Sequence, residues 1–337
     1  MLTLGLFVCI WLFACAFMKR QSGELLLFDR ESTIPLRGLL IVVIMLAHLT
    51  CEGVNTGLIC HFMWQNAAVA VFFFMSGYGY MRAINSGKQK RFVDFAFGIV
   101  RKLFVPFLIV AILGLGRICV CEGLDWGRMV QAYSNGHTPI GVHSWFIWVL
   151  SLLAIILSVT ARFFHGWVLI GVNCVFSAAL FAIFRWWQWP RWWWLSLSAF
   201  PVGLAFSYCE NRIRISMRRN AWHWMLVGGV FLGVELLNYC IGGNVFEGVM
   251  RSLVGPVVVV GFYVFPISKN CTPLYFLGGI SFELYLVHGL IRTWMLYGVV
   301  DGSARTLIGF IAIPVSILAA MALQRINQSI KWQRHLK

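Results

Sequence analysis

Long apolar runs, broken by short polar stretches, fill this chain almost from end to end. They fall near residues 2–18, 37–55, 63–82, 99–118, 144–162, 166–184, 192–209, 222–241, 249–267, 274–293 and 305–323. Each is close to the ~20 residues that an α-helix needs to cross a ~30 Å hydrocarbon slab. Inside such a slab the backbone must satisfy its own polar groups, so solid apolar runs predict helices. The runs do not alternate residue by residue, which speaks against a β-barrel. The pattern predicts an all-α polytopic membrane protein with about eleven transmembrane helices. No polar stretch is long enough for a separate soluble domain.

Composition agrees: 60% of the 337 residues are hydrophobic and only 12% charged. A soluble domain carries roughly 25% charged residues. The net charge of +15 raises nucleic acid as a partner, but its distribution points elsewhere. With Lys19 and Arg20 cytoplasmic, all but seven of the 27 Lys and Arg fall on that side or at its helix ends. The seven are Arg117, Arg128, Arg185, Arg191, Arg251, Arg292 and Arg305. This is the positive-inside asymmetry; it places the C-terminus in the cytoplasm and makes the lipid bilayer, not nucleic acid, the expected partner. Ten scattered cysteines lie mostly within apolar runs and predict free thiols rather than a disulfide framework. Residues 2–18 lack a preceding basic region, and a retained helix is the expectation over a cleaved signal. The Trp-dense turn at 185–194 reads first as an interfacial aromatic anchor, with glycan stacking as the lesser alternative.

Titratable groups at membrane depth are costly and therefore candidate functional residues. Arg37 and His48 lie eleven residues apart in PLRGLLIVVIMLAHL. On a helix that spacing returns to within about 20° of the same face and rises about 16 Å, which sets His48 near mid-membrane above an Arg37 at the cytoplasmic mouth. Pro35 is expected near the start of that helix. His288, in GGISFELYLVHGLI, is predicted at similar depth, with Ser281 on its face, Tyr285 about 40° away and Glu283 pointing elsewhere. Two histidines at matched depth suit proton abstraction from a hydroxyl; a hydrogen-bonded pair between helices is the competing reading. Glu235 and Asn238, in the run at 222–241, are as readily an interhelical contact as part of a site. Ser76, Gly77 and Gly79 in FFFMSGYGY favour close helix packing. HSWFIW at 143–148 is expected to begin a helix at the outer surface, where His143 and Ser144 could touch an external substrate. Arg101 and Lys102 sit at a cytoplasmic helix start, a topogenic position that with Arg37 also suits anionic phosphates.

These segments resemble the membrane acyltransferase 3 family of acyl-CoA-dependent transferases. Arg37 and His48 match its Arg-to-His helix; Phe73, Phe74, Ser76 and Gly77 match its FFxxSGF run. Arg101, Lys102, Pro106 and Phe107 are similar to its basic pair and Pro-aromatic step, and Trp145 and Phe146 to its W-F/Y-L segment. Ser281, Tyr285, Leu286 and His288 are similar to its late Ser-to-His stretch. Two departures stand out: Arg101-Lys102 replaces an Arg-x-Arg motif, and Phe282 replaces a Tyr.

The resemblance implies ten core helices within residues 32–323, preceded by an extra helix and linker at 1–31 and followed by a basic tail at 324–337. It implies transfer of an acyl group, commonly acetyl, from cytoplasmic acyl-CoA to a hydroxyl of a glycan or lipid-linked sugar, in a bacterial inner membrane. His48 and His288 are then the catalytic candidates, with Arg37, Arg101 and Lys102 for donor phosphates and Ser281, Tyr285, Ser76 and Glu235 in support. No metal and no permanently bound cofactor is expected; acyl-CoA is a substrate. Direct transfer and an acyl-enzyme relay both remain open, as do acyl-chain identity, acceptor and oligomeric state. The rival function is a lipid or polysaccharide transporter, which many helices with midplane polar groups also suit; the lack of a visible repeat and of paired broken helices counts against it. A sensor without chemistry would leave the Arg37–His48 stripe unexplained.

Overall fold

The computed structural model describes residues 30–54, 62–86, 92–219, 254–258 and 271–329. In chain order the longer helices are α1 (Arg30–Cys51), α2 (Phe62–Asn85), α3 (Phe92–Cys121), α4 (Trp126–Ser134), α5 (Trp145–Thr160) and α6 (Gly166–Trp186). Then follow α7 (Ala199–Tyr208), α8 (Glu210–Arg219), α9 (Thr272–Gly279), α10 (Ser281–Met295) and α11 (Gly302–Ser329). Every regular element among the described residues is helical, as the unalternating apolar runs require.

Among the described residues five helices are long and apolar enough to cross a membrane, or six if the bent pair α9–α10 is one span. The chain is an integral membrane protein. The expected spans at 2–18 and 222–241 lie outside the described residues, as does most of 249–267, so the number eleven and the ten-helix core rest on the sequence. Three expectations change. The run at 192–209 is not one helix: a 3-10 turn at Arg191–Trp193 precedes the ten-residue α7. The run at 274–293 is broken, its halves meeting at 77° across Gly279 and Ile280. Finally, α1 starts at Arg30, so Pro35 is inside it rather than at its start, and His48 falls in its last turn. The polar residues Arg30–Thr33 extend the helix beyond the apolar stretch that marked it in the sequence.

Glycines set how closely these helices approach. A Cβ on Gly38 would lie 2.0 Å from the Leu274 carbonyl oxygen, and one on Gly278 1.7 Å from that of Ile34, so α1 and α9 touch backbone to backbone. Gly77 and Gly203 interlock α2 and α7 in the same way, 2.1 Å from the Phe200 and Phe74 oxygens. Small residues permit this contact where lipid offers no hydrophobic drive between helices. The FFFMSGYGY run therefore packs through Gly77, with Phe73 and Phe74 buried beside it.

The Trp-dense turn holds the chain to itself. Indole N–H groups of Trp189 and Trp193 donate to the carbonyls of Ser134 (2.9 Å) and Gly136 (2.6 Å), fixing the end of α4. Trp186 and Trp187 remain exposed. The stretch after α4 then turns inward instead of staying at a surface. Ile140 packs on Gly114 of α3, where a Cβ would come within 1.9 Å of its oxygen. Ser144 and Trp145 are buried within the bundle, and α5 begins at Trp145 as the sequence predicts. The six described cysteines, Cys51, Cys119, Cys121, Cys174, Cys209 and Cys271, are free thiols.

Candidate active site

Three imidazoles meet where α1, α10 and the segment entering α5 converge. His48 Nδ1 lies 2.7 Å from His288 Nε2. The ring of His143 stacks on that of His48 at 3.7 Å between centroids, 7° from parallel. His143 reaches this place with φ +67°, a left-handed backbone that a non-glycine residue rarely adopts. Gly289 makes room for it: a Cβ there would come within 2.9 Å of His143 Cδ2 and 3.0 Å of Val142. The Tyr285 hydroxyl donates to the His143 carbonyl at 3.0 Å.

With the rings taken as neutral, the contacts fit the following placement of protons. The Leu284 carbonyl can only accept, so His288 Nδ1, 3.0 Å away, carries a hydrogen. His288 Nε2 is then a bare lone pair and accepts from His48 Nδ1–H. That leaves His48 Nε2 bare, facing the Gln65 amide nitrogen of α2, which donates to it. An Arg can only donate, so His143 Nε2 accepts from Arg292 Nη2 at 3.2 Å. In this neutral arrangement His48 Nε2 is the basic atom that the pair presents.

One nitrogen from each histidine lies within 4.8 Å of the others, a spacing that a metal could bridge. The donor set does not converge on a point, however. The rings are near parallel, His48 and His288 are bonded to each other, and the Arg292 guanidinium faces the free nitrogen of His143. Lone pairs for tetrahedral coordination must converge, and a neighbouring cation opposes a dication. The cluster is a hydrogen-bonded stack.

A cavity of about 580 Å³ approaches this stack along α1 and α2. Thr33, Arg37 and Arg82 line it at one end; Phe72, Phe146 and Tyr285 line it near the histidines, where the Tyr285 and His288 rings are 5.8 Å apart. Ser76 and Ser281 also face it, their hydroxyls donating to the carbonyls of Phe72 (2.9 Å) and Gly278 (2.9 Å). The eleven residues from Arg37 to His48 rise about 16 Å. Beyond the stack, Glu52 lies 3.3 Å from Arg292 and 3.6 Å from Arg305.

Of the residues singled out in the sequence, His48 and His288 come together and Arg37, Ser76, Ser281 and Tyr285 share the cavity. Lys102 is exposed on α3 and does not line it. Arg101 is on the same helix, but its side chain is outside the described residues, as is Glu235 entirely. Sequence reasoning passed over Gln65, Arg82, Glu52 and Arg292. Gln65 and Arg292 had a signal: each is a polar residue inside an apolar run, and Arg292 is one turn from His288.

A family model described as an acyltransferase domain matches residues 36–325, most of the chain. No curated protein and no solved structure matches it.

Proposed function

Because the chain belongs to the membrane acyltransferase 3 family and is thus a membrane acyltransferase, we propose that it moves an acyl group, most simply acetyl, from cytoplasmic acyl-CoA to a hydroxyl of a glycan or lipid-linked sugar. One observation carries the finer reading. The cavity is lined by the cations Arg37 and Arg82 and, toward the histidine pair, by Tyr285, whose ring is 5.8 Å from that of His288. Arg37 and Arg82 would meet the donor's phosphates, and the aromatic walls would sheath its pantetheine arm. The thioester would then lie near Tyr285 and Phe146.

In this mechanism the acceptor hydroxyl replaces the Gln65 amide at His48 Nε2. As its oxygen attacks the thioester carbonyl, the proton passes to His48 Nε2. The tetrahedral intermediate collapses, the C–S bond breaks, and the departing thiolate takes that proton from the imidazolium. His48 Nδ1–H stays on His288 throughout, which holds the ring and supports the transient charge. Nothing in this scheme needs a metal. The placement of the cavity's cationic end in the cytoplasm follows the charge asymmetry of the sequence; a bacterial inner-membrane location follows the family resemblance.

The transporter reading gains one observation, the 77° break between α9 and α10, since broken helices build transport sites. Purified protein in lipid nanodiscs separates the two. Incubated with [14C]acetyl-CoA and a membrane glycolipid extract, an acyltransferase yields labelled, base-labile esters and free CoA. An intact donor pool after incubation with extract overturns the acyl-CoA assignment, and labelled product unchanged in His48→Ala overturns the assigned base.

A further inference from the structure

Two arginines flank Glu52 at the end of the site opposite the cavity, and they are used differently. Arg305 has all three nitrogens engaged: Nε with the Glu52 carbonyl (2.6 Å), Nη1 with that of Val299 (2.7 Å) and Nη2 with the Glu52 carboxylate (3.6 Å). It is a brace, tying the start of α11 to the end of α1. Arg292 is far more buried, its side chain 5% exposed against 27% for Arg305. Yet only its Nη2 is bonded, to His143 and Glu52, while Nε and Nη1 have no partner among the described residues.

A buried guanidinium with two idle donors is an expensive arrangement unless something supplies the missing oxygens. The local charge says which oxygens. Among the described residues two guanidiniums face one carboxylate, an excess of one positive charge that neutral hydroxyls would leave uncompensated. Its location says what carries them. Arg292 is four residues beyond His288 on α10, a rise of about 6 Å, which is on the order of one sugar ring. An acid group held at Arg292 would leave a hydroxyl of the same residue near the His48–His288 pair. Glu52, one-third exposed, and Arg305 mark the open side from which it would enter.

We propose that Arg292 is the binding residue for an oxyacid group, carboxylate or phosphate, on the acceptor sugar, and that this protein therefore selects acidic acceptors. The inference rests on the acyl-transfer reading for its location, but its test does not need transfer. Full-length protein in nanodiscs is titrated with methyl α-D-glucuronide, α-D-glucose 1-phosphate and methyl α-D-glucoside, and binding is followed by intrinsic tryptophan fluorescence or thermal shift. At least one of the two anions should bind about tenfold tighter than the neutral glucoside, by charge-assisted hydrogen bonds. Which anion leads names carboxylate or phosphate as the group recognised.

Arg292→Gln should reduce the anion to the affinity of the glucoside. Glu52→Gln is the independent arm: removing the competing carboxylate should tighten the anion several-fold. A purely structural ion pair predicts no such gain. Equal binding of all three sugars, or an anion preference that persists in Arg292→Gln, overturns the proposal. Should Arg292→Gln not fold, failure of Glu52→Gln to tighten the anion overturns it as well. Selective anion binding without any acyl transfer counts only against the enzymatic reading; transfer without selective binding counts only against the subsite.

Discussion

The two sides of the histidine stack are built on opposite plans. On the Arg37 side is an open cavity of about 580 Å³ with aromatic and aliphatic walls and cations at its far end. On the Glu52 side there is a compact ionic cluster in which Arg292 is almost fully buried and linked through His143 to the stack. A long ligand with a charged head can lie in the first. The second offers instead the Nε and Nη1 of Arg292, unbonded among the described residues. The contrast suits a two-substrate site, where an extended donor and a compact acceptor approach one basic nitrogen from opposite directions, and each substitution below tests one part of it.

The dividing layer carries the largest effect. His48→Ala removes the bare Nε2 to which both sides lead, and transfer should fall about 10²–10⁴-fold, the range for loss of a general base. Donor affinity should be nearly unchanged, because the cavity residues remain. A parallel loss of donor binding, measured by equilibrium dialysis with acetyl-CoA, would mean the two sides are not separable.

Arg37→Ala addresses the cavity side alone. Loss of one charge-assisted contact with a phosphate, about 1.5–3 kcal/mol, should raise KM for the acyl donor about 10–100-fold with a smaller change in kcat. The acceptor KM should stay constant. If the acceptor KM rises instead, the cavity holds the acceptor and the assignment of sides is reversed.

Gly289→Ala addresses the opposite wall. Its Cβ would press on His143 and Val142 at 2.9–3.1 Å, so the segment entering α5 must give way by a few tenths of an ångström. Because catalysis is sensitive to such displacement, kcat should fall about tenfold while the donor KM holds. An unchanged kcat would show that the His143 stack has no part in presenting His48.

Much of the divided site was legible in the sequence, for a physical reason. Arg37 and His48 share a helix face by spacing alone, and membrane burial makes any titratable group conspicuous. His288 was legible on the same ground. What stayed hidden depends on contacts between segments. The turn before α5 involves Gly114, Gly289 and the Trp189 and Trp193 indoles, which are far apart in sequence, so the stacking of His143 on His48 was not legible. The break at Gly279–Ile280 lies in an apolar run that hydropathy reads as continuous. Arg292 was counted with the charges opposite the cytoplasm, because the positive-inside rule assigns cations to sides and says nothing of those buried in the bundle.

Tyr285 belongs to both sides, and its substitution should have the smallest effect. Its ring lines the cavity beside Phe146, at 5.2 Å between centroids, while its hydroxyl donates to the His143 carbonyl on the opposite wall. Tyr285→Phe keeps the ring and deletes only that bond, whose net worth is about 0.5–1.5 kcal/mol, hence roughly a 2–10-fold loss of kcat. The donor KM should not move, since the cavity wall is preserved. Tyr285→Leu removes the ring as well, so the donor KM should then rise beside the same kcat loss. If Phe already weakens donor binding, the hydroxyl faces the donor rather than His143, and the two halves are coupled through this one side chain. If neither variant changes kcat, the backbone at His143 is held by Gly114 and Gly289 without help, and the inner wall can be altered without disturbing the outer one.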